Sequence, residues 1–253
     1  MRPACGIGLL AAMLSGCGGA MTCPRVLFLD GAGWYTGDGP VRQGLGRAGF
    51  AGQVERFGWS SMLGPLPDHV LASGAHPGAR ALAGRITKLR QASPDGRIIV
   101  MGMSAGSAIV VGALEKLPPG VLVDHVVLLS PSVSSHRDLS EALRHVRGRL
   151  YATSSRHDSL LASAPGSAGL ERGRPAGIDG FRRPSGIAQR EGRLYDKLVN
   201  LPWRSSYIVY GWDGGHLSVT SSDFIQTVIA PRILDDRLHP LDGPLAARED
   251  RPL

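Results

Sequence analysis

Six short runs constrain this chain more than any other feature, because most of them are apolar at nearly every position rather than at every second one. They are RVLFLDGAGW (25–34), GQVERFGW (52–59), GRIIVMGM (96–103), VDHVVLLS (123–130), RLYATSS (149–155) and SSYIVYGW (205–212). A strand with apolar side chains on both faces needs both faces covered, which is the condition of a parallel sheet between helical layers. The segments between them have the helical period or its stop signals. In 79–93, Leu82, Ile86 and Leu89 share one face opposite Arg and Lys. Residues 40–50 give a glycine-diluted helix with Pro40 in its first turn. The segment after Met103 is helical until Pro118-Pro119, and 138–148 is a helix stopped by Gly148. A short helix over 193–201 and a last helix over 218–234 complete the alternation, and 64–78 is rich in Pro and Gly and reads as loop. Strand and helix in turn predict an α/β fold, a mostly parallel sheet of about six strands with helices on both faces.

The chain of 253 residues is long enough for one such core and shows no internal repeat. We expect a single domain over 25–234 with no large separate cap. An irregular Gly/Pro/Arg-rich insertion at 163–192 lies within it, and Phe181 and its arginines are candidate walls of a site. Residues 235–253, with three prolines, read as a poorly ordered tail. The first twenty residues differ in kind. An apolar stretch from Ile7 to Leu14 is too short to span a bilayer and is followed by Leu14-Ser15-Gly16-Cys17. This ending resembles the bacterial lipobox, which implies an export signal over 1–16, lipidation at Cys17 and a linker over 17–24. The acyl chains would hold the domain at an envelope membrane surface. A start at Met21 would instead give a cytoplasmic protein.

Charge and cysteines exclude more than they assign. The net charge is +7, yet the basic residues are nearly all arginine, with lysine only at 88, 116 and 197, and they are scattered without interleaved aromatics. Nucleic-acid binding is therefore not expected. Cys5, Cys17 and Cys23 offer no disulfide framework and no metal pair, and no His/Asp/Glu spacing suits a metal ion. We expect neither metal nor cofactor. The sequence carries no signal of oligomeric state.

Chemistry enters with Gly102-Met103-Ser104-Ala105-Gly106. In a chain holding 35 glycines such a pentapeptide arises readily by chance, so its surroundings must decide. The strand RIIVMGM runs into Ser104 and the helix AGSAIVVGAL runs out of it. A serine in a sharp strand-to-helix turn is pushed out at the sheet edge, and glycines two residues either side let the turn close. A serine hydroxyl is a poor nucleophile alone; it needs a base, a carboxylate to orient that base, and donors for the developing oxyanion.

These residues resemble the nucleophile elbow of the α/β-hydrolase superfamily, in its serine esterase and lipase branch. The resemblance covers 25–234 and implies Ser104 as nucleophile, with acid and histidine following in that order, each after a strand. Asp158, in RHDSLL after the strand 149–155, stands at the position of the acid, and His216, in DGGHLSV before the last helix, at that of the base. Asp158 also stands where Asp caps a helix, and Asp138 and Asp179 remain alternatives for the acid. The oxyanion donors implied are the N–H of Ala105 and one from Ala32 or Gly33 in Asp30-Gly31-Ala32-Gly33-Trp34, which keeps the family's Gly-x-Gly and lacks its histidine. The implied activity is cleavage of a small-molecule or lipid carboxylic ester through an acyl-enzyme. Two other readings remain. Gly31, Gly33 and Gly37 after a first strand, with Glu55 ending the second, also resemble a dinucleotide-binding turn of an oxidoreductase. A surface lipoprotein that keeps the fold without activity is the other.

Overall fold

A computed structural model of the chain describes residues 23–31, 36–59, 77–163, 173–185 and 192–235. The export signal, Cys17, Met21, Ala32, Gly33, most of the 64–78 loop, parts of the 163–192 insertion and the tail beyond Asp235 lie outside the described residues. Strands β1 (Arg25–Leu29), β2 (Gln53–Arg56), β3 (Ile98–Met103), β4 (His125–Leu129), β5 (Leu150–Ser154) and β6 (Leu198–Pro202) form one sheet. Their order is β2-β1-β3-β4-β5-β6 and every neighbouring pair is parallel.

The uniformly apolar strands are explained by two separate cores. Along β1, Leu27 and Leu29 enter one core while Val26 and Phe28 enter the other. In β3, Ile98 and Val100 divide from Ile99, Met101 and Met103 in the same way. The first core is closed by α2 (Pro77–Ala92), α3 (Ala105–Leu114) and α4 (Ser140–Arg144), through Leu82, Ile86, Ile109, Val110 and Leu143. The second is closed by α1 (Asp38–Arg47) and the final helix. That helix, α7, runs Ser222–Phe224, Ile225–Ile229 as a π-helical turn, and Ala230–Leu234. Each fully buried Leu, Ile or Phe contributes about 1.5–3 kcal/mol, so both layers are needed to stabilise the sheet. Two short helices complete the elements used below, α5 (Ser159–Ser163) and α6 (Ala176–Asp179). No helix among the described residues is long and apolar enough to cross a membrane.

Three sequence expectations are corrected. The last strand is Leu198–Pro202, not 205–212, and it takes up the second half of the helix expected over 193–201, whose first half is a 3-10 turn at Arg193–Lys197. Ser205–Tyr210 is a 3-10 helix. The run SSYIVY contains the residue types of a strand but not the burial: Ile208 is 54% and Val209 76% exposed, and only Tyr207 is buried. The true strand is a sheet edge in which Leu201 alone is buried, and Pro202 is tolerated because an edge strand need not donate outward. Second, α4 ends at Arg144 because Val146 leaves the helix to bridge Val123. Third, Phe181 is a core residue rather than a site wall. It is 4% exposed, and its backbone N–H and C=O are both held by the side-chain amide of Asn200 in β6.

Candidate active site

The turn at Ser104 is strained. Its backbone lies at φ 50°, ψ −123°, outside the regions open to most L-residues, at the junction of β3 and α3. The strain is held by the surroundings: the Ser104 N–H donates to the Leu129 carbonyl of β4 at 2.9 Å, and its own carbonyl accepts from Ser107 at 3.0 Å. The flanking glycines are required. A Cβ on Gly106 would sit 2.4 Å from the Asp30 carbonyl oxygen, and one on Gly102 would sit 2.8 Å from Val110 Cγ2. Ser104 is thus presented at the carboxyl end of the central strand, with 8% of its surface exposed.

Asp158 and His216 are brought together although 58 residues separate them. His216 Nδ1 and Asp158 Oδ2 lie 2.7 Å apart, and Asp158 is wholly buried. With Nδ1 donating, Nε2 is left free to accept a proton. The two readings of Asp158 prove compatible, because its other oxygen, Oδ1, accepts from the Leu161 N–H at 2.9 Å and caps α5. The carboxylate therefore has its position fixed by the helix it caps. Among the described residues no hydrogen bond joins Ser104 to His216; such contacts often tighten only with substrate bound. The alternatives for the acid lie elsewhere. Asp138 accepts from Ser140 and Tyr195, and Asp179 lies in α6 near Arg174.

The loop that carries His216 has its own scaffold. Trp212 is fully buried against Tyr207 and Phe224 and donates from its indole to the Gly215 carbonyl at 3.2 Å. Gly214 takes φ 92°, which favours glycine, and so lets the chain turn into His216. Asp213 accepts from the Ser218 hydroxyl and from the Gly215 N–H at 2.8 Å. These bonds, that of Ser218 first, hold its carboxyl below the usual carboxylate range.

Of the oxyanion candidates, Ala105 opens α3, so its N–H belongs to the first turn, which lacks intrahelical acceptors. Ala32 and Gly33 lie outside the described residues; Gly31, where that loop starts, is close to Ser104, and a Cβ on it would sit 3.3 Å from Ser104 Cβ. The base of that loop is tied by Asp30, which the sequence did not single out. Its carboxylate accepts from the Gly37 N–H and from Arg56 Nε, each at 2.6 Å, while its carbonyl accepts from the Trp59 indole at 2.8 Å. Burial pushes the Asp30 carboxyl above its usual value, against the Gly37 and Arg56 bonds that pull it down. Glu55, the ribose ligand of the dinucleotide reading, is engaged by Arg85 through two hydrogen bonds of 3.0 and 2.6 Å.

Ser130 was also missed. It follows β4 at φ 43°, its N–H donates to Thr153 Oγ1 at 2.8 Å, and its buried hydroxyl has no hydrogen-bond partner among the described residues. Ser104 and Ser130 are the two non-glycine residues of positive φ among those described, each just past one of two adjacent central strands at the carboxyl end of the sheet. No group of three or more His, Cys, Asp or Glu among the described residues could hold a metal ion.

A comparison with solved structures finds this architecture in the LpqC poly(3-hydroxybutyrate) depolymerase of Bordetella parapertussis. It is 15% identical, with a TM-score of 0.50 over 92% of this chain and 85% of that one. The chain has the α/β-hydrolase fold. A cutinase from Trichoderma reesei aligns at 15% identity and TM-score 0.46, covering 86% of this chain and 78% of its own. An acetylxylan esterase aligns at 15% and 0.46, covering 83% and 96%. No protein-family model matches the sequence, and no curated protein matches it either. In the terms of the α/β-hydrolase fold, Ser104 follows the central strand, Asp158 the strand two places on, and His216 lies between the last strand and the last helix.

Proposed function

We propose that this protein is a serine hydrolase of carboxylic esters. The observation that carries the reading is the Asp158–His216 hydrogen bond at the same sheet edge as a strained, glycine-flanked serine. In the reaction, His216 Nε2 takes the Ser104 proton as the hydroxyl oxygen attacks the ester carbonyl. Asp158 holds the imidazole in the tautomer this requires and stabilises the imidazolium that forms. The oxyanion is held by the Ala105 N–H and by a donor from the loop that begins at Gly31. His216 then gives its proton to the departing alcohol, leaving an acyl group on Ser104. Water deprotonated by His216 attacks that acyl group, and the acid and free serine are released.

Hydrolysis of p-nitrophenyl esters of increasing acyl length tests the reading. A burst of p-nitrophenol matching the enzyme concentration is expected with at least one ester, together with its loss in Ser104→Ala. The absence of turnover with every ester in a folded protein overturns the reading. The tethering of this domain to a membrane through Cys17 is part of the same proposal. It predicts that wild type partitions with membranes and Cys17→Ala does not; wild type recovered soluble and beginning at Met21 contradicts it.

A further inference from the structure

We propose that Trp203 is a positioning residue that clamps the acid loop to the base loop, an inference that rests on the serine-hydrolase reading. Trp203 is the first residue past β6, and its backbone N–H donates to the Ser154 carbonyl at 2.7 Å, so it is fixed to the end of β5. Its side chain then reaches in two directions. The indole Nε1 donates to the Trp212 carbonyl at 3.0 Å, four residues before His216. The same ring meets His157, the neighbour of Asp158, edge to face with centroids 4.5 Å apart and planes at 68°. One residue thus holds the chain on both sides of the 2.7 Å Asp158–His216 bond.

The base loop closes onto the same place. A Cβ on Gly214 would sit 2.9 Å from Ser155 Oγ and 3.0 Å from His157 Cβ, so the two loops already touch beside the Trp203 ring. Tryptophan suits the position because it combines a broad ring for His157 with a single edge donor for a carbonyl; phenylalanine supplies only the ring. Trp212 has a different task, since its indole bonds within its own loop, to Gly215. Trp203 alone of the two connects one loop to the other. A misplacement of about 1 Å in a reacting group costs on the order of 100-fold in rate, so a clamp of this kind acts on turnover rather than on substrate binding.

The test uses the full chain with Trp203→Phe, Trp203→Ala and His157→Ala. Two readouts are needed: the downfield proton NMR resonance of His216 Nδ1–H shared with Asp158, and the separate values of kcat and KM. Trp203→Phe is expected to lower kcat by about 10-fold and Trp203→Ala by about 100-fold, with KM little changed. The Nδ1–H of His216 is held in a single hydrogen bond to Asp158, so loosening that contact broadens the downfield resonance. His157→Ala lowers kcat and broadens the resonance by less. If Trp203→Ala does not fold, Trp203→Phe, which keeps the ring, carries the comparison. The proposal is overturned if Trp203→Phe keeps the wild-type resonance and kcat, including when it only lowers the melting temperature. It is equally overturned if wild type has no such resonance. A wild type that hydrolyses no ester, yet shows a resonance that Trp203→Phe disturbs, would remove the esterase reading and leave the clamp standing.

Discussion

The two ends of the sheet each hold an aspartate in a hydrogen-bonded network, and they put it to opposite uses. At the amino end, Asp124 accepts from Arg147 at 2.8 Å, from Arg90 at 3.1 Å and from the Ile98 N–H at 2.8 Å. Arg90 also donates to the carbonyls of Leu122, Pro94 and Gly96, and Arg97 to those of Ile233 and Leu234 at the end of α7. Both guanidinium partners keep their charge at any pH a folded protein meets, so this end is a fixed clasp. At the carboxyl end, Asp158 accepts from a backbone N–H and from histidine, a partner that can gain and lose a proton. The two strained serines stand here as well. The same side chain is a staple beside arginine and, in the proposed reaction, orients a proton carrier beside histidine. What distinguishes Asp158 from Asp124 is the partner, not the acid; Asp30, also at the carboxyl end, is itself a staple to Arg56.

Breaking the comparison at its most extreme point gives the largest effect. Ser104→Gly is expected to lower ester hydrolysis by about 10⁵-fold or more, as removal of the nucleophile does. Because glycine accepts φ 50° freely, the variant should also unfold at a higher temperature, by about 1 kcal/mol of relieved strain in a thermal melt. Asp158→Asn comes next. Its remaining carbonyl oxygen still caps α5, so stability changes little, while the wrong histidine tautomer lowers kcat by about 10⁴-fold. Asp124→Asn should do the reverse: about 2 kcal/mol lost in urea unfolding, with kcat per folded molecule unchanged. If Asp124→Asn harms kcat as much as Asp158→Asn does, the two ends do not differ as described.

The smallest effect is expected at Asp213. Its folded carboxyl lies below the ordinary value of 3.8, so its bonds to Ser218 and Gly215 contribute stability above that value. That contribution is lost as pH falls through the lowered folded value. Asp213→Asn should therefore lower kcat only a few-fold at neutral pH, and should remove an acid-side dependence of hydrogen-exchange protection around Gly215 that wild type shows. Equal protection in both proteins across that range would remove Asp213 from the scaffold of the base loop.

Much of the candidate site is legible in the sequence because its residues occur at points the chain itself marks. Ser104 follows an apolar strand between two glycines, Asp158 follows another strand, and His216 follows a glycine pair before the last helix. What was not legible depended on burial or on single long-range contacts. SSYIVYGW has a strand's residues, yet Ile208 and Val209 face solvent and the sheet takes its last strand from LVNLP instead. A strand half exposed at an edge has no continuous apolar run to announce it. Asp30 and Arg56 meet across 26 residues, and Trp203 reaches Trp212 by one indole bond; neither leaves a period or a motif. Phe181 appeared free to line the site because nothing in the sequence marks Asn200 as its partner.

Fluorophosphonate labelling followed by peptide mass spectrometry tests the central claim most directly. Such a reagent reacts only with a serine activated by its own base, so it reads the constellation rather than the fold. Wild type should be modified at Ser104, while His216→Ala should react far more slowly and Ser104→Ala not at all. A folded wild type left unmodified, or a label on any serine other than Ser104, would contradict it.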